Sequence, residues 1–196
     1  MNVLNSRQKT EKLVLTALFT ALVAVLAYVG GFIKIGSLAS ISLTLIPVVL
    51  GSALLGPLVG AWLGGVAGAV FFITADAAFW FGLSIPGTII TVMVKGIVAG
   101  LAAGLVYRAT EKINRYLAIV LAAIVCPVVN TAIFLLGCLV FFMDTVTAMA
   151  QGEGMGLFAY LIIVFVGFNF VFELLSNLLL SPALLRLLSI KRDRLA

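Results

Sequence analysis

The chain has 196 residues, of which 64% are hydrophobic and 10% charged, with a net charge of +5 and no histidine. Soluble domains carry about a quarter charged residues, so this composition predicts a membrane protein. The absence of histidine excludes histidine-ligated metal sites and histidine-based catalysis, and we expect no metal. The length allows about six membrane helices in a single domain, residues 1–196, and leaves no room for a soluble catalytic domain.

Six apolar runs follow one another along the chain, and they are continuous rather than alternating, which favours helices over strands. The predicted helices cover residues 13–30, 41–56, 58–75, 86–107, 117–143 and 157–189. Basic residues precede the first run, as in a secretory signal. Because that run is as long as a full span, we expect it to be the first transmembrane helix.

The positions of the basic residues predict the orientation in the membrane. Ten of the twelve Lys and Arg residues fall at the N-terminus, in the fourth connection or at the C-terminus. Six spans place all three regions on one side, which the positive-inside rule makes cytoplasmic. We therefore predict an all-α membrane protein, a compact bundle of six transmembrane helices with cytoplasmic N- and C-termini.

The first predicted helix carries a stripe of small side chains. Ala17, Ala21 and Ala24 recur at four- and three-residue spacings, which place them on one helix face. Small residues let membrane helices approach each other closely. The stripe predicts either ordinary packing inside this bundle or a docking face for another membrane protein.

Two charged residues, Lys95 and Glu173, fall inside predicted spans, where a charge is costly and needs a reason. Each stands about 20 Å, along the helix axis, from a basic residue at the cytoplasmic end of its helix. Asn130 lies at a comparable depth, although it could instead serve backbone acceptors that Pro127 leaves free. One level of the bundle is thus predicted to hold three polar side chains.

A polar stripe in the sixth predicted helix strengthens this pattern. Asn169, Glu173 and Asn177 recur every four residues and share one face, which should point into the bundle. Two interpretations stay open. Lys95 and Glu173 form a structural ion pair with the amides around it, or the polar groups form a pocket that holds a solute.

Further polar and aromatic groups lie in the predicted outer loops, among them Lys34, Trp80 and Tyr160. Interfacial anchoring explains the two aromatic residues, and the alternative is a lid over a solute. The loop at residues 31–42 is predicted to be the part of such a lid that moves. No catalytic dyad or nucleotide-binding loop is visible, so we expect neither an enzyme nor a bound cofactor, and uphill transport would need an energised partner.

The sequence resembles the substrate-binding S components of energy-coupling factor (ECF) vitamin transporters. The resemblance covers nearly the whole chain and rests on small size, six predicted spans and three motifs. These motifs are Ala17-x-x-x-Ala21, the run from Ile41 to Gly51 with the Leu-Gly-Pro at 55–57, and the run from Gly87 to Gly96.

This resemblance implies a mechanism and a set of partners. An S component binds its vitamin from outside with high affinity in a pocket under the first loop. It then docks on a transmembrane coupling subunit driven by two ATPases, topples in the lipid bilayer and releases the vitamin inside. Carried over here, Ala17 and Ala21 would be docking residues in a multi-pass protein of the cell membrane. ATP would act only on the partner subunits, and no nucleic acid is involved.

The run from Cys126 to Thr131, followed by Ile133 to Gly137, looks most like the pantothenate members of that family. Pantothenate carries a carboxylate, hydroxyls and an amide. Lys95 or Lys34 could pair with the carboxylate, and Asn130 and Asn169 could serve the polar groups. Riboflavin and folate remain open as substrates. A structural membrane subunit, like the cell-shape protein whose fold is similar, is the main alternative without a ligand.

Overall fold

The computed structural model describes residues 3–30, 34–35, 39–40, 43–167, 170–171 and 173–178. Its regular elements in these residues are helices apart from one short hairpin, and residues 170–171 and 173–178 are also helical. In chain order the elements are α1 (Val3–Gly30), β1 (Lys34–Ile35), β2 (Ala39–Ser40), α2 (Leu45–Leu55), α3 (Pro57–Phe71), α4 (Ala75–Leu83), α5 (Ile85–Thr110), α6 (Arg115–Phe141), α7 (Met143–Gly152), α8 (Leu157–Tyr160) and a π-helical segment (Leu161–Gly167).

The first two predicted helices differ from the structure in length. α1 begins at Val3, ten residues before the predicted start, and β1 then pairs with β2 in an antiparallel ladder. α2 begins at Leu45 rather than at residue 41. Pro47 lies in its first turn, where a missing N–H breaks no helical hydrogen bond. The 11 residues of α2 rise about 16 Å, which is too short to cross a bilayer alone.

The third predicted helix, 58–75, ends earlier than expected. α2 and α3 meet at Gly56, whose φ of 106° favours glycine. α3 ends at Phe71, and the Thr74 hydroxyl donates a hydrogen bond of 2.7 Å to the Phe71 carbonyl. Thr74 is extended, and α4 follows it at an angle of 84° to α3. The connection predicted as a loop therefore contains a helix.

α5 and α6 lie within three residues of the predicted ranges 86–107 and 117–143. The Asn114 side chain caps α6 by accepting hydrogen bonds from the backbone of Tyr116 (2.8 Å) and Leu117 (3.2 Å). α7 occupies a connection predicted as a loop and bends by 90° into the helical stretch Leu157–Val164. The predicted helix 157–189 starts as α8 and the π-helical segment, and its part after residue 178 lies outside the described residues.

α5 is the centre of the fold, because it packs along its length against both α3 and α6. A ladder of four glycines, Gly60, Gly64, Gly96 and Gly100, brings α3 and α5 into backbone contact. A Cβ atom on Gly64 would lie 1.9 Å from the Gly96 carbonyl oxygen, and one on Gly60 would lie 2.4 Å from that of Gly100. This glycine ladder fixes the register of α5 against α3.

Two apolar clusters complete the interior. The larger one joins α1, α2, α3, α5 and α6 around Val48, Leu63 and Ile119, and the smaller one joins α6 to α7 and α8 around Phe142 and Val146. Cys126 and Cys138 are both buried free thiols, one in each cluster.

The described residues contain three helical stretches long and apolar enough to cross a membrane, Gln8–Gly30, α5 and α6. Counting each bent pair, α3 with α4 and α7 with the stretch Leu157–Val164, as one span raises the number to five. The predicted all-helical membrane character is thus confirmed. The count of six membrane spans and the cytoplasmic orientation of both termini stay predictions.

Candidate solute-binding site

Lys95 is the charged residue around which the site is built. α5 begins at a helix cap, where the Ser84 hydroxyl accepts a hydrogen bond from the Gly87 backbone (3.2 Å), and Lys95 follows three turns later. Its side chain is partly buried. The Nζ atom lies 4.9 Å from the ring centroid of Phe134 and 5.9 Å from that of Phe71. Both distances permit a cation–π interaction, so aromatic faces compensate the charge.

α4 extends this aromatic surround. The Trp80 ring packs edge-on against Phe134 at 5.5 Å and against Phe142 at 5.2 Å. The Thr88 hydroxyl donates to the Trp80 carbonyl (2.8 Å), which ties the end of α4 to the first turns of α5. Trp80 is partly buried and contacts the same Phe134 ring as Lys95, and Tyr160 is only 4% exposed. The role of these two rings as interfacial anchors or as part of a lid stays a prediction.

Glu173 and Asn177 are buried on one face of the helical residues 173–178, with 2% and 1% of their surfaces exposed. The Asn177 Nδ2 atom donates to the Glu173 backbone carbonyl at 2.8 Å. Within the described part of the chain, Glu173 Oε2 and Asn177 Oδ1 have no hydrogen-bond partner, and the same holds for Oγ1 of Thr91, which is 4% exposed. Three buried oxygen atoms are thus left unpaired.

Lys95 and Glu173 lie close enough to interact electrostatically. Among the described residues, however, no nitrogen–oxygen contact within 4.0 Å joins them. A closed ion pair, one of the two interpretations of the sequence, is therefore not formed. The two charges attract each other without contact.

The packing of α5 against α6 gives the depth of Asn130. Gly87 contacts Phe141 and Thr91 contacts Gly137, so the helices run antiparallel and Lys95 lies opposite residue 133 or its neighbours. Asn130 is partly buried and lies about one helical turn closer to the N-terminal end of α6 than residue 133. Its side chain makes no hydrogen bond within the described residues, so the backbone repair around Pro127 is not observed there.

Among the remaining candidate residues, Lys34 lies in β1, and Asn169 lies outside the described residues. Ala17 and Ala21 are exposed on α1, while Ala24 is partly buried. The first two alanines therefore take little part in packing within this chain.

Three residues near the site were absent from the candidates chosen from sequence. Thr91 stands one turn before Lys95, and that spacing could have indicated it. Phe71 and Phe134 belong to other helices, and nothing in the sequence pairs them with a lysine.

The arrangement is that of a small helical membrane protein with an internal polar site. The family model of the ECF transporter substrate-specific component matches residues 11–185, so the chain belongs to that family. No significant match was found among curated proteins or among solved structures.

Membership of this family confirms several predictions. The chain is a transport subunit and not an enzyme, and it is a multi-pass membrane protein, which in a prokaryote means the plasma membrane. Substrate-specific components work with an ECF module made of a transmembrane subunit and ATPases.

Proposed function

We propose that this chain is the high-affinity vitamin-binding subunit of an ATP-driven ECF importer and that its substrate is pantothenate. The family match over residues 11–185 carries the transport role. The choice of an anionic vitamin is supported by Lys95, whose charge is held by aromatic rings with no carboxylate in contact among the described residues. The proposal includes six spans and cytoplasmic termini, which the distribution of basic residues supports.

Each candidate residue has a role in this proposal. Lys95 pairs with the carboxylate, and Asn130 and Asn169 serve the hydroxyl and amide groups of the vitamin. Glu173 borders the floor of the pocket. Lys34 and Trp80 cover its outer side, which is supported for Trp80 by its packing beside Phe134.

Coupling to the partner subunits is assigned to α1. Ala17 and Ala21 are exposed on α1 beside Leu18 and Leu22, which are 63% and 45% exposed. Small residues next to large ones form a surface onto which another membrane helix can pack closely. Ala24 continues the stripe. The energy comes from ATP hydrolysed on the partner subunits, and this chain needs no cofactor of its own.

Thermal unfolding of the purified protein in detergent with a panel of vitamins tests the proposal. Pantothenate is expected to raise the melting temperature at micromolar concentration, because it binds the folded state. A shift with riboflavin or folate alone would identify that vitamin as the substrate in place of pantothenate and would still support a vitamin-binding subunit. No shift with any vitamin would contradict a vitamin-binding role.

A substitution tests Lys95 directly. Lys95→Met should weaken pantothenate binding about 10- to 150-fold, the value of a hydrogen bond to a charged group. Lys112→Met, on the exposed α5–α6 connection, is the matched control and should leave affinity unchanged. Unchanged affinity of a folded Lys95→Met protein would show that Lys95 does not bind the vitamin.

A further inference from the structure

The three unpaired oxygen atoms belong to Thr91, Glu173 and Asn177. Each of these side chains is at least 96% buried. Among the described residues, nothing donates a hydrogen bond to Glu173 Oε2 or Asn177 Oδ1. One N–H of the Asn177 amide donates to the Glu173 carbonyl. Glu173 Oε2 and Asn177 Oδ1 are therefore two buried acceptors that lack a donor among the described residues.

A purely structural role does not explain this arrangement. Buried polar groups in proteins are nearly always paired, since an unpaired one loses its hydration without compensation. A polar network that only stabilised the fold would saturate these oxygen atoms. Open acceptors on Glu173, which Lys95 attracts, and on the neighbouring Asn177 are instead suited to a ligand that brings its own donors.

We infer that the site takes a ligand with two unlike ends, an anionic group for Lys95 and a hydroxyl or N–H donor for Glu173 and Asn177. This inference rests on the proposed function and narrows its substrate class to hydroxylated or amino-bearing carboxylates. Neutral flat molecules are excluded. Because Lys95 and Glu173 attract each other without contact, a bound molecule of this class satisfies both at once.

The isosteric substitution Glu173→Gln separates a ligand group from a structural group. It removes a buried charge that Lys95 attracts but does not contact. Because burial of this charge costs more than the attraction returns, the ligand-free protein is expected to unfold at the same or a higher temperature than the wild type. Pantothenate binding is expected to weaken at least tenfold, because a charge-assisted hydrogen bond is lost. Glu153→Gln, in an exposed connection, is the control and should change neither property.

Wild-type protein and altered ligands give a second test that does not depend on a variant. The probes are pantothenate, its alcohol in which the carboxylate is replaced by hydroxymethyl, and an analogue with both hydroxyls replaced by hydrogen. Each change is expected to weaken binding by tenfold or more in calorimetry. In the Glu173→Gln protein, removing both hydroxyls from the ligand should weaken its binding less than threefold.

The outcomes distinguish the inference from the function on which it rests. A lower melting temperature of Glu173→Gln with unchanged pantothenate affinity would overturn the inference, because Glu173 would then be structural. Binding of riboflavin, but not of pantothenate, would also overturn it and would leave the transport role intact. Failure of every vitamin to bind would overturn the transport role itself.

Discussion

Replacing Gly64 by alanine should disturb the contact on which the position of Lys95 depends. The new Cβ atom would lie 1.9 Å from the Gly96 carbonyl oxygen and 2.5 Å from its carbonyl carbon. Both atoms belong to backbone and cannot rotate away. Helices α3 and α5 must therefore separate by about an ångström or more, since carbon–oxygen contacts are normally about 3.3 Å or longer.

The energetic balance has two opposing parts. Alanine favours a helix over glycine by about 1 kcal/mol. Overpacking of a tight interior costs about 1–3 kcal/mol, and a backbone clash belongs at the upper end or beyond it. The net loss of about 2 kcal/mol corresponds to a melting temperature about 4–8 °C lower for a chain of this size.

Thermal unfolding of Gly64→Ala beside Gly65→Ala measures this effect. At Gly65 the added Cβ atom would meet only side-chain atoms, with Ile97 Cγ1 the nearest at 3.3 Å. Its melting temperature should therefore equal that of the wild type or exceed it by up to about 4 °C, because alanine favours the helix. Pantothenate affinity should fall in Gly64→Ala alone, because α5 carries Lys95 away from Phe71. Equal melting temperatures for the two variants would refute the tight α3–α5 contact.

Three further predictions follow from other contacts. Asn114→Ala removes the cap of α6 and should cost about 1 kcal/mol in unfolding free energy, whereas Asn114→Asp should retain most of it. The double substitution Ala17→Leu with Ala21→Leu should abolish vitamin uptake by cells but spare binding by the purified subunit. Thr88→Val removes the hydrogen bond to Trp80 and should cost about 1 kcal/mol, measured by thermal unfolding.

Each of these three has an outcome that would contradict it. Equal stability of the alanine and aspartate variants at position 114 would show that the cap is unimportant. Uptake that survives the double leucine substitution would exclude the alanine face as the coupling surface. A Thr88→Val protein as stable as the wild type would show that the Thr88 hydroxyl does not hold α4 in place.

The long helices could be predicted because apolar length is a strong signal. α5 and α6 are continuous and begin beside cap residues, and Arg108 lies in the last turn of α5, so their bounds are nearly those of the sequence patterns. α4 and α7 could not be predicted in this way. The sequence of α4 is as apolar as the end of a membrane span, and α7 is short enough to be a loop. Only the packing of the folded chain decides that it turns by 84° before α4.

The site was predictable in part for a similar reason. A charge within an apolar run is visible in sequence, so Lys95 and Glu173 were identifiable as candidates. The distance between Lys95 and Glu173 could not be predicted, because counting residues along two helices gives their depth in the membrane but not the distance between the helices. The aromatic partners of Lys95 come from α3 and α6. The approach of Phe71 depends on the glycine ladder, and that of Phe134 on the packing of α5 against α6, rather than on any local pattern.

The aromatic contacts of Lys95 have a consequence for its hydrogen-bonding capacity. A ring face compensates a positive charge without accepting a directional hydrogen bond from each N–H. An ammonium group has three such donors. Lys95 is thus stabilised without being saturated, and it can remain inside the ligand-free protein with its donors uncommitted. An arriving carboxylate need not first displace another carboxylate from it.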